Sequence, residues 1–309
     1  MNILIIGLGS IAGKHIHVLK ELIGSDLSFF ALRSDVNQTE MPGVKNIYSI
    51  DELNEKIDFA IISNPTYSHF ETINMMIEYS IPLFIEKPIV SKIEDAEILL
   101  KPLNDSNIFT YVGCNLRFHP CIKYLKNYLS FERVKTINEV NVYSGSYLPD
   151  WRPGKDYRTI YSASKDLGGG VHLDLFHEFD YIVWLLGQPD QVRSTRKSCS
   201  TLKIDAVDYA NYCLGYPGFS VSIILNYYRR KSKRTIEIVF ENETWTVDLI
   251  NNTIKDDQNS IIFEAEDFVM MNSYYDQMKY FIDHLTKKQT PMNTFAESAQ
   301  ILKICFDNE

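Results

Sequence analysis

The chain is short of the features that mark metal, disulfide, nucleic-acid or membrane proteins. Its five cysteines, Cys114, Cys121, Cys199, Cys213 and Cys305, are odd in number and scattered. Without a Cys-x-x-Cys pair or a Cys/His ligand spacing they read as reduced thiols, and no metal site is expected. Basic residues are outnumbered: 31 Lys and Arg stand against 40 Asp and Glu, for a net charge of -9. That balance argues against a nucleic-acid partner. The one basic cluster, Arg229-Arg230-Lys231-Ser232-Lys233-Arg234, reads as a solvated strand end or hairpin ahead of an anion site. No apolar run approaches the roughly 18 residues that span a bilayer. The first apolar run, from Asn2, reads as a strand and not as a secretory leader, so a cytoplasmic protein is expected. Neither an internal repeat nor a low-complexity linker is visible, and no Ser/His/Asp nucleophile arrangement stands out.

What is present is enough for two domains with real cores: 309 residues, 45% of them hydrophobic. Up to residue 113, short apolar runs alternate with amphipathic stretches. Strands are expected at Asn2–Ile6, Ser28–Leu32, 58–63, Leu83–Glu86 and 108–113, with helices over 11–23, 68–79 and 93–103. This alternation predicts a doubly wound parallel sheet with ligands at the carboxyl ends of its strands. The texture changes near residue 118. A helix over Pro120–Leu129, a long strand over 134–147, an aromatic and arginine-rich loop over 148–161 and a helix over 174–186 stopped by Gly187 follow. Runs rich in Val, Ile, Thr and Tyr from 191 to 263 predict a mostly antiparallel sheet, one face of which carries the 174–186 helix. Helices over 273–287 and 294–307 close the chain. The fold class is thus α/β, with domains at 1–118 and 119–309 and a last helix that packs back on the first domain.

Ile3-Leu4-Ile5-Ile6-Gly7-Leu8-Gly9-Ser10-Ile11-Ala12-Gly13 fits a strand, a glycine turn and a helix start. Gly7 permits the turn, Gly9 lets the backbone approach a pyrophosphate, and the helix start at Ser10 and Ile11 offers N–H groups to phosphates. At the tip of the second strand stand Arg33 and Ser34, either of which suits a 2′-phosphate, while Asp35 comes late for a ribose contact. This tips the cofactor expectation, NAD(P), slightly towards NADP. The third strand runs into Ser63-Asn64-Pro65-Thr66-Tyr67-Ser68-His69, where Asn64, Pro65 and Thr66 should line the dinucleotide. Thr66 or Ser68 can cap the next helix, and His69 either packs on that helix or touches a ligand.

Two further stretches carry chemistry. Glu86-Lys87-Pro88 follows a buried strand. A lysine with a free pKa near ~10.4 is a poor base, but burial beside a cationic ring would make Lys87 usable, with Glu86 holding it. Gly168-Gly169-Gly170-Val171-His172-Leu173-Asp174-Leu175-Phe176-His177 puts a glycine run before an Asp and a His. Asp174 can bind hydroxyls or orient His177, and His177 can move their proton. His172 lies outside this set. Arg117, Trp151, Arg152, Tyr157 and Arg158 together favour an anionic substrate, the arginines through planar multi-donor contacts and Trp151 by stacking on a ring.

Taken together, the Gly-x-Gly start, Asn64-Pro65-Thr66-x-x-His69, Glu86-Lys87-Pro88 and the Gly168-to-Asp180 stretch resemble the glucose–fructose oxidoreductase / inositol 2-dehydrogenase / rhizopine-catabolism (Gfo/Idh/MocA) family over almost the whole chain. The resemblance implies an N-terminal Rossmann domain and a C-terminal α/β domain with an open, mostly antiparallel sheet. It implies NAD(P)-dependent oxidation or reduction of a sugar or cyclitol by a homodimer or homotetramer packed through the open sheets. By it, Lys87 contacts nicotinamide and substrate, and Asp174 and His177 are the substrate-binding and acid–base pair. Most members space that pair by four residues and this chain by three, so Glu178 occupies the unshifted position. Asn115-Leu116-Arg117-Phe118-His119-Pro120 and Trp151-Arg152-Pro153-x-x-Asp156-Tyr157-Arg158 resemble a bacterial subgroup associated with surface-polysaccharide sugars. This implies a sugar nucleotide or sugar acid as substrate. Two other readings fit the same residues. One is an enzyme that uses bound NAD transiently for elimination or glycoside cleavage. The other is a nicotinamide-binding regulatory protein, against which intact Lys87, Asp174 and His177 count.

Overall fold

The computed structural model describes residues 1–35, 40–130 and 136–307. In chain order the elements are β1 (Asn2–Ile6), α1 (Ser10–Ile23), β2 (Ser28–Leu32), β3 (Val44–Ile47), β4 (Phe59–Ile62), α2 (His69–Glu78), β5 (Leu83–Glu86), α3 (Ile93–Asp105), β6 (Thr110–Gly113) and α4 (Pro120–Leu129). There follow β7 (Ile137–Tyr147), α5 (Val171–Asp174), α6 (His177–Leu186), β8 (Gln191–Lys197), β9 (Tyr209–Tyr216), β10 (Phe219–Asn226), β11 (Tyr228–Phe240), β12 (Thr244–Asp248), β13 (Thr253–Lys255), β14 (Ile261–Glu264), α7 (Met270–Lys287) and α8 (Phe295–Phe306). They form two compact units, Met1–Asn115 with Met271–Gln300, and Leu116–Met270 with Ile301–Glu309.

The first unit holds a six-stranded sheet in the order β3-β2-β1-β4-β5-β6, with every pairing parallel. The strand order reverses between β1 and β4, and ligands of such sheets bind outside the strand ends at that point. The β4 and β6 strands are buried at every residue, as helices on both faces of a parallel sheet require. The core joins Ile3, Ile5, Phe59, Ile61 and Phe84 to Val18 and Leu19 of α1, and to Met278 and Phe281 of α7. Phe281 meets Phe59 and Phe84 edge-on at 4.9 and 5.2 Å between ring centres. The segment 271–300 therefore completes the first unit, whereas the sequence assigned it, apart from the last helix, to the second.

The second unit holds an eight-stranded sheet in the order β14-β13-β12-β11-β7-β10-β9-β8. It is antiparallel except for β7 against β10. Burial alternates along β9 and β10, the sign of a sheet with one covered face. Tyr212, Leu214, Val221, Ile223 and Leu225 point inward and are fully buried. The covering helix α6 sets Phe179 edge-on to Tyr212 at 4.7 Å, and Gly187 ends it in a left-handed conformation with φ 86°. The helix expected over 174–186 is broken. Leu175 leaves helical backbone at φ -97°, ψ 38°, which separates α5 from α6. Residues 134 and 135, expected to open the long strand, lie outside the described residues.

Candidate functional site

In the first unit, the turn after β1 is pressed against the loop after β4. Gly7 has φ 93°, and a Cβ there would lie 2.1 Å from the Asn64 backbone nitrogen. No side chain fits, and the Ser63 hydroxyl donates to the Gly7 carbonyl at 2.9 Å across the same gap. Gly9 is the opposite case: a Cβ there would meet nothing within 4 Å. It precedes α1, whose start has no side-chain cap and no acidic residue in its first turn. Gly9 and Ser10 are exposed. A glycine facing open space before uncapped N–H groups is a fit for a pyrophosphate. Ile11 is half-buried in that first turn. Pro65 precedes the short 3₁₀ turn of Thr66–Ser68, which makes no side-chain cap to α2. Asn64 Nδ2 instead donates to Thr72 Oγ1 at 2.8 Å. Arg33 is half-buried at the end of β2, its N–H bonded to the Ile47 carbonyl of β3 at 2.9 Å, and Ser34 is exposed beside it.

His69 is buried, with Nε2 2.9 Å from the Asn64 carbonyl and Nδ1 3.1 Å from the Ile89 carbonyl. Burial lowers its pKa. The ring is enclosed between the loop after β4 and the segment after Pro88. Lys87 is half-buried directly after β5. Glu86 Oε1 lies 2.6 Å from Nε2 of fully buried His15.

The second unit positions Asp174 and His177. The glycine run lets the chain pass under the 148–161 loop, since a Cβ on Gly169 would sit 2.2 Å from the Tyr161 carbonyl. Asp174 ends α5, and its Oδ2 accepts a 2.6 Å hydrogen bond from the hydroxyl of fully buried Tyr227. The Tyr161 hydroxyl engages the same carboxylate. Burial first, and the Asp174 charge second, push both tyrosines well above their ordinary range. His177 opens α6 half-buried, while Glu178 beside it is fully buried. Both Glu178 oxygens are taken by Arg234, at 2.6 and 3.1 Å. Glu178 on α6 is thus tied to β11 of the sheet.

The loop residues divide. Trp151 Nε1 donates to Ser146 Oγ at 2.8 Å, and its ring stands edge-on to Tyr227 at 5.3 Å. Exposed Arg152 lies over the Tyr161 ring at 5.7 Å. The Tyr157 hydroxyl donates to the Leu202 carbonyl, and exposed Arg158 forms a two-pronged pair with Asp156. Arg117 is buried and grips Asp180 through Nε and Nη2 at 2.9 and 2.7 Å. It neutralises a carboxylate inside the fold. His15, Tyr161, Tyr227 and Arg234 were missed. His15, Tyr227 and Arg234 each meet a partner far away in sequence, and Tyr161 closes the 148–161 loop without a motif of its own.

Two family models match this chain. One, for the oxidoreductase family with NAD-binding Rossmann fold, covers residues 1–113, and the other, the Gfo/Idh/MocA C-terminal domain, covers 133–246. The chain belongs to the Gfo/Idh/MocA family. Among relatives within and around this family, UDP-N-acetylglucosamine 3-dehydrogenase of Acidithiobacillus ferrooxidans is 24% identical over 208 residues, 67% of this chain and 60% of that protein. Myo-inositol 2-dehydrogenase of Thermotoga maritima is 24% identical over 198 residues, 61% of this chain and 55% of that protein. These matches span less than two thirds of either relative. The WlbA dehydrogenase of Bordetella pertussis, solved with NADH and UDP-GlcNAcA, shares the fold with a TM-score of 0.78 at 16% identity, over 99% of this chain and 94% of that one. The Gfo/Idh/MocA assignment agrees with the parallel sheet, the uncapped α1 start and the open antiparallel sheet. Among the described residues, no helix is long and apolar enough to cross a membrane.

Proposed function

We propose that this chain is an NAD(P)-dependent dehydrogenase or reductase acting on a hydroxyl-bearing carbon of a sugar, with a sugar nucleotide or sugar acid as substrate. The observation that carries the reading is the state of the 174–178 segment. Asp174 is fixed by Tyr227, Glu178 is locked by Arg234, and His177 between them is left half-buried. A bound nicotinamide supplies the hydride acceptor or donor. Gly7, Gly9, Ser10 and Ile11 would hold its pyrophosphate, and Asn64, Pro65 and Thr66 would line it. On the protein side, Asp174, held by Tyr227 and Tyr161, accepts hydrogen bonds from substrate hydroxyls. His177 takes the hydroxyl proton in oxidation and returns it in reduction, and Lys87 contacts the reacting oxygen. Arg152 and Trp151 supply charge and a stacking face for an anionic, ring-bearing substrate. The names of the A. ferrooxidans and B. pertussis relatives support the sugar-nucleotide choice. Arg33 and Ser34 support a slight preference for NADP, and the open face of the eight-stranded sheet supports a homo-oligomer.

The test is turnover of neutral sugars, uronic acids and nucleoside-diphosphate sugars, followed by the near-ultraviolet absorbance of reduced nicotinamide. Faster turnover of the charged compounds is expected. Better turnover of a neutral free sugar or cyclitol would overturn the substrate class. Consumption of substrate with no change in free reduced nicotinamide would instead point to transient use of a bound dinucleotide.

A further inference from the structure

The second residue of helix turn two in α1 and the last residue of β5 share one short hydrogen bond. A carboxylate can only accept, so His15 donates to Glu86 Oε1 from Nε2, at 2.6 Å. The ring carries its proton on that nitrogen, and Nδ1 is left buried with no hydrogen-bond partner among the described residues. Phe84 packs edge-on against the imidazole at 4.8 Å, and Tyr274 lies at 6.1 Å. Burying a ring nitrogen without a partner is costly, and an apolar side chain of similar size would fill the same space without that cost. The polar ring is therefore explained by what its other nitrogen holds. Room for the pair has also been kept open on the far side. Glu86 pairs with Gly113 of β6, and a Cβ on Gly113 would lie 3.2 Å from Glu86 Oε1 and 3.0 Å from Phe84.

We propose that His15 is a positioning residue for Lys87. By anchoring the Glu86 carboxylate to α1, it fixes the end of β5 from which Lys87 projects, and keeps that amine in register with the dinucleotide turn at Gly9. Lys87 follows directly on Glu86, the last residue of β5, so fixing the Glu86 carboxylate fixes the backbone from which Lys87 departs. The proposal rests on the reading of Lys87 as the lysine that contacts nicotinamide and substrate.

The test reads Lys87 directly as well as through turnover. Competitive acetylation of the whole protein, followed by mass spectrometry, gives the rate at Lys87 relative to Lys92. In His15→Phe this ratio should change by at least about threefold. Turnover should fall by about tenfold or more, while dinucleotide affinity stays within about threefold, well under one tenfold step. His15→Gln, whose amide can donate from a similar position, should restore the labelling ratio and most of the turnover. Gly113→Ala, which crowds the carboxylate from the other side, should shift the labelling in a chain that keeps His15. An unchanged ratio in His15→Phe would overturn the proposal. So would a Gln variant that behaves like Phe, or losses of affinity and turnover that only track a lowered melting temperature. If Lys87→Ala turns over normally, the reading of Lys87 fails on its own, and the labelling still decides whether His15 governs the amine.

Discussion

His177 and Glu178 are neighbours in sequence with opposite environments, and this makes their variants separable. Glu178→Ala leaves the Arg234 guanidinium, 22% exposed, facing an empty buried site. Removing one partner of a buried pair costs about 3–5 kcal/mol, so a marked drop in the urea midpoint is expected, with turnover per folded molecule little changed. His177→Ala should do the reverse: an unchanged midpoint and turnover lowered by roughly 10²–10⁴-fold, the range for a lost acid–base group. Equal turnover losses in the two variants would move the proton role to Glu178. Tyr227→Phe isolates the third member of the group. It removes only the hydroxyl bonded to Asp174. A hydrogen bond to a charged group is worth about 1.5–3 kcal/mol, so turnover should fall by about tenfold or more, mostly in kcat. An unaltered kcat would show that Asp174 keeps its orientation without Tyr227.

At the scale of elements, the turn from β1 into α1 makes a contrasted pair of glycines. Gly9→Val places its side chain in the space a pyrophosphate would take, so dinucleotide binding should be abolished in a chain that melts normally. Gly7→Ala drives a methyl into the Asn64 backbone and should unfold the turn itself. Retained affinity in the folded Gly9 variant, measured by calorimetry, would place the cofactor elsewhere. Arg33→Ala should remove any preference for NADP over NAD, and a parent protein that favours NAD would refute that role of β2. Strands with continuous apolar runs, such as β1, β2 and β5, were legible to the residue, because a sheet buried on both faces writes itself into sequence. The β3 strand was not: Val-Lys-Asn-Ile at the sheet edge buries only Ile47, so no run marks it. The break between α5 and α6 was equally hidden, since the apolar period continues through Leu175 and Phe176 while the backbone does not. For the site, the expectation for Lys87, Asp174 and His177 rests on spacing to glycine and proline that is local. The side-chain pairings around them span 71 residues for His15 and Glu86, 53 for Asp174 and Tyr227, and 56 for Glu178 and Arg234. No local pattern encodes such pairings, and one tyrosine among 19 carries no mark.

For the whole molecule, buried histidines set the acid limit. Burial lowers the pKa of His119 from its ordinary 6.5 to about 4, and that of His172 to about 3. The unfolded chain takes up protons near 6.5 that the folded chain refuses, so the stability is whole above that pH. It is lost as pH falls towards 4 and then 3. The loss should be on the order of a few kcal/mol across this window, read as falling urea midpoints from about pH 7 to about pH 4. His172→Phe should flatten the dependence, and a midpoint that stays level on acidification would count against neutral burial of these rings. The return of α7 to the first core bears on how the protein comes into being. Strands β1 to β6 leave the ribosome half a chain before Met278 and Phe281 arrive to cover Phe59 and Phe84. The Asn293 side chain and carbonyl that clasp Val112, and the Phe295 N–H that meets Thr110, come later still. The dinucleotide half therefore cannot finish folding during its own synthesis. Nascent chains should stay protease-sensitive there until the C-terminal segment is released, and a frameshift beyond residue 270 would cost the protein its cofactor, not merely its tail.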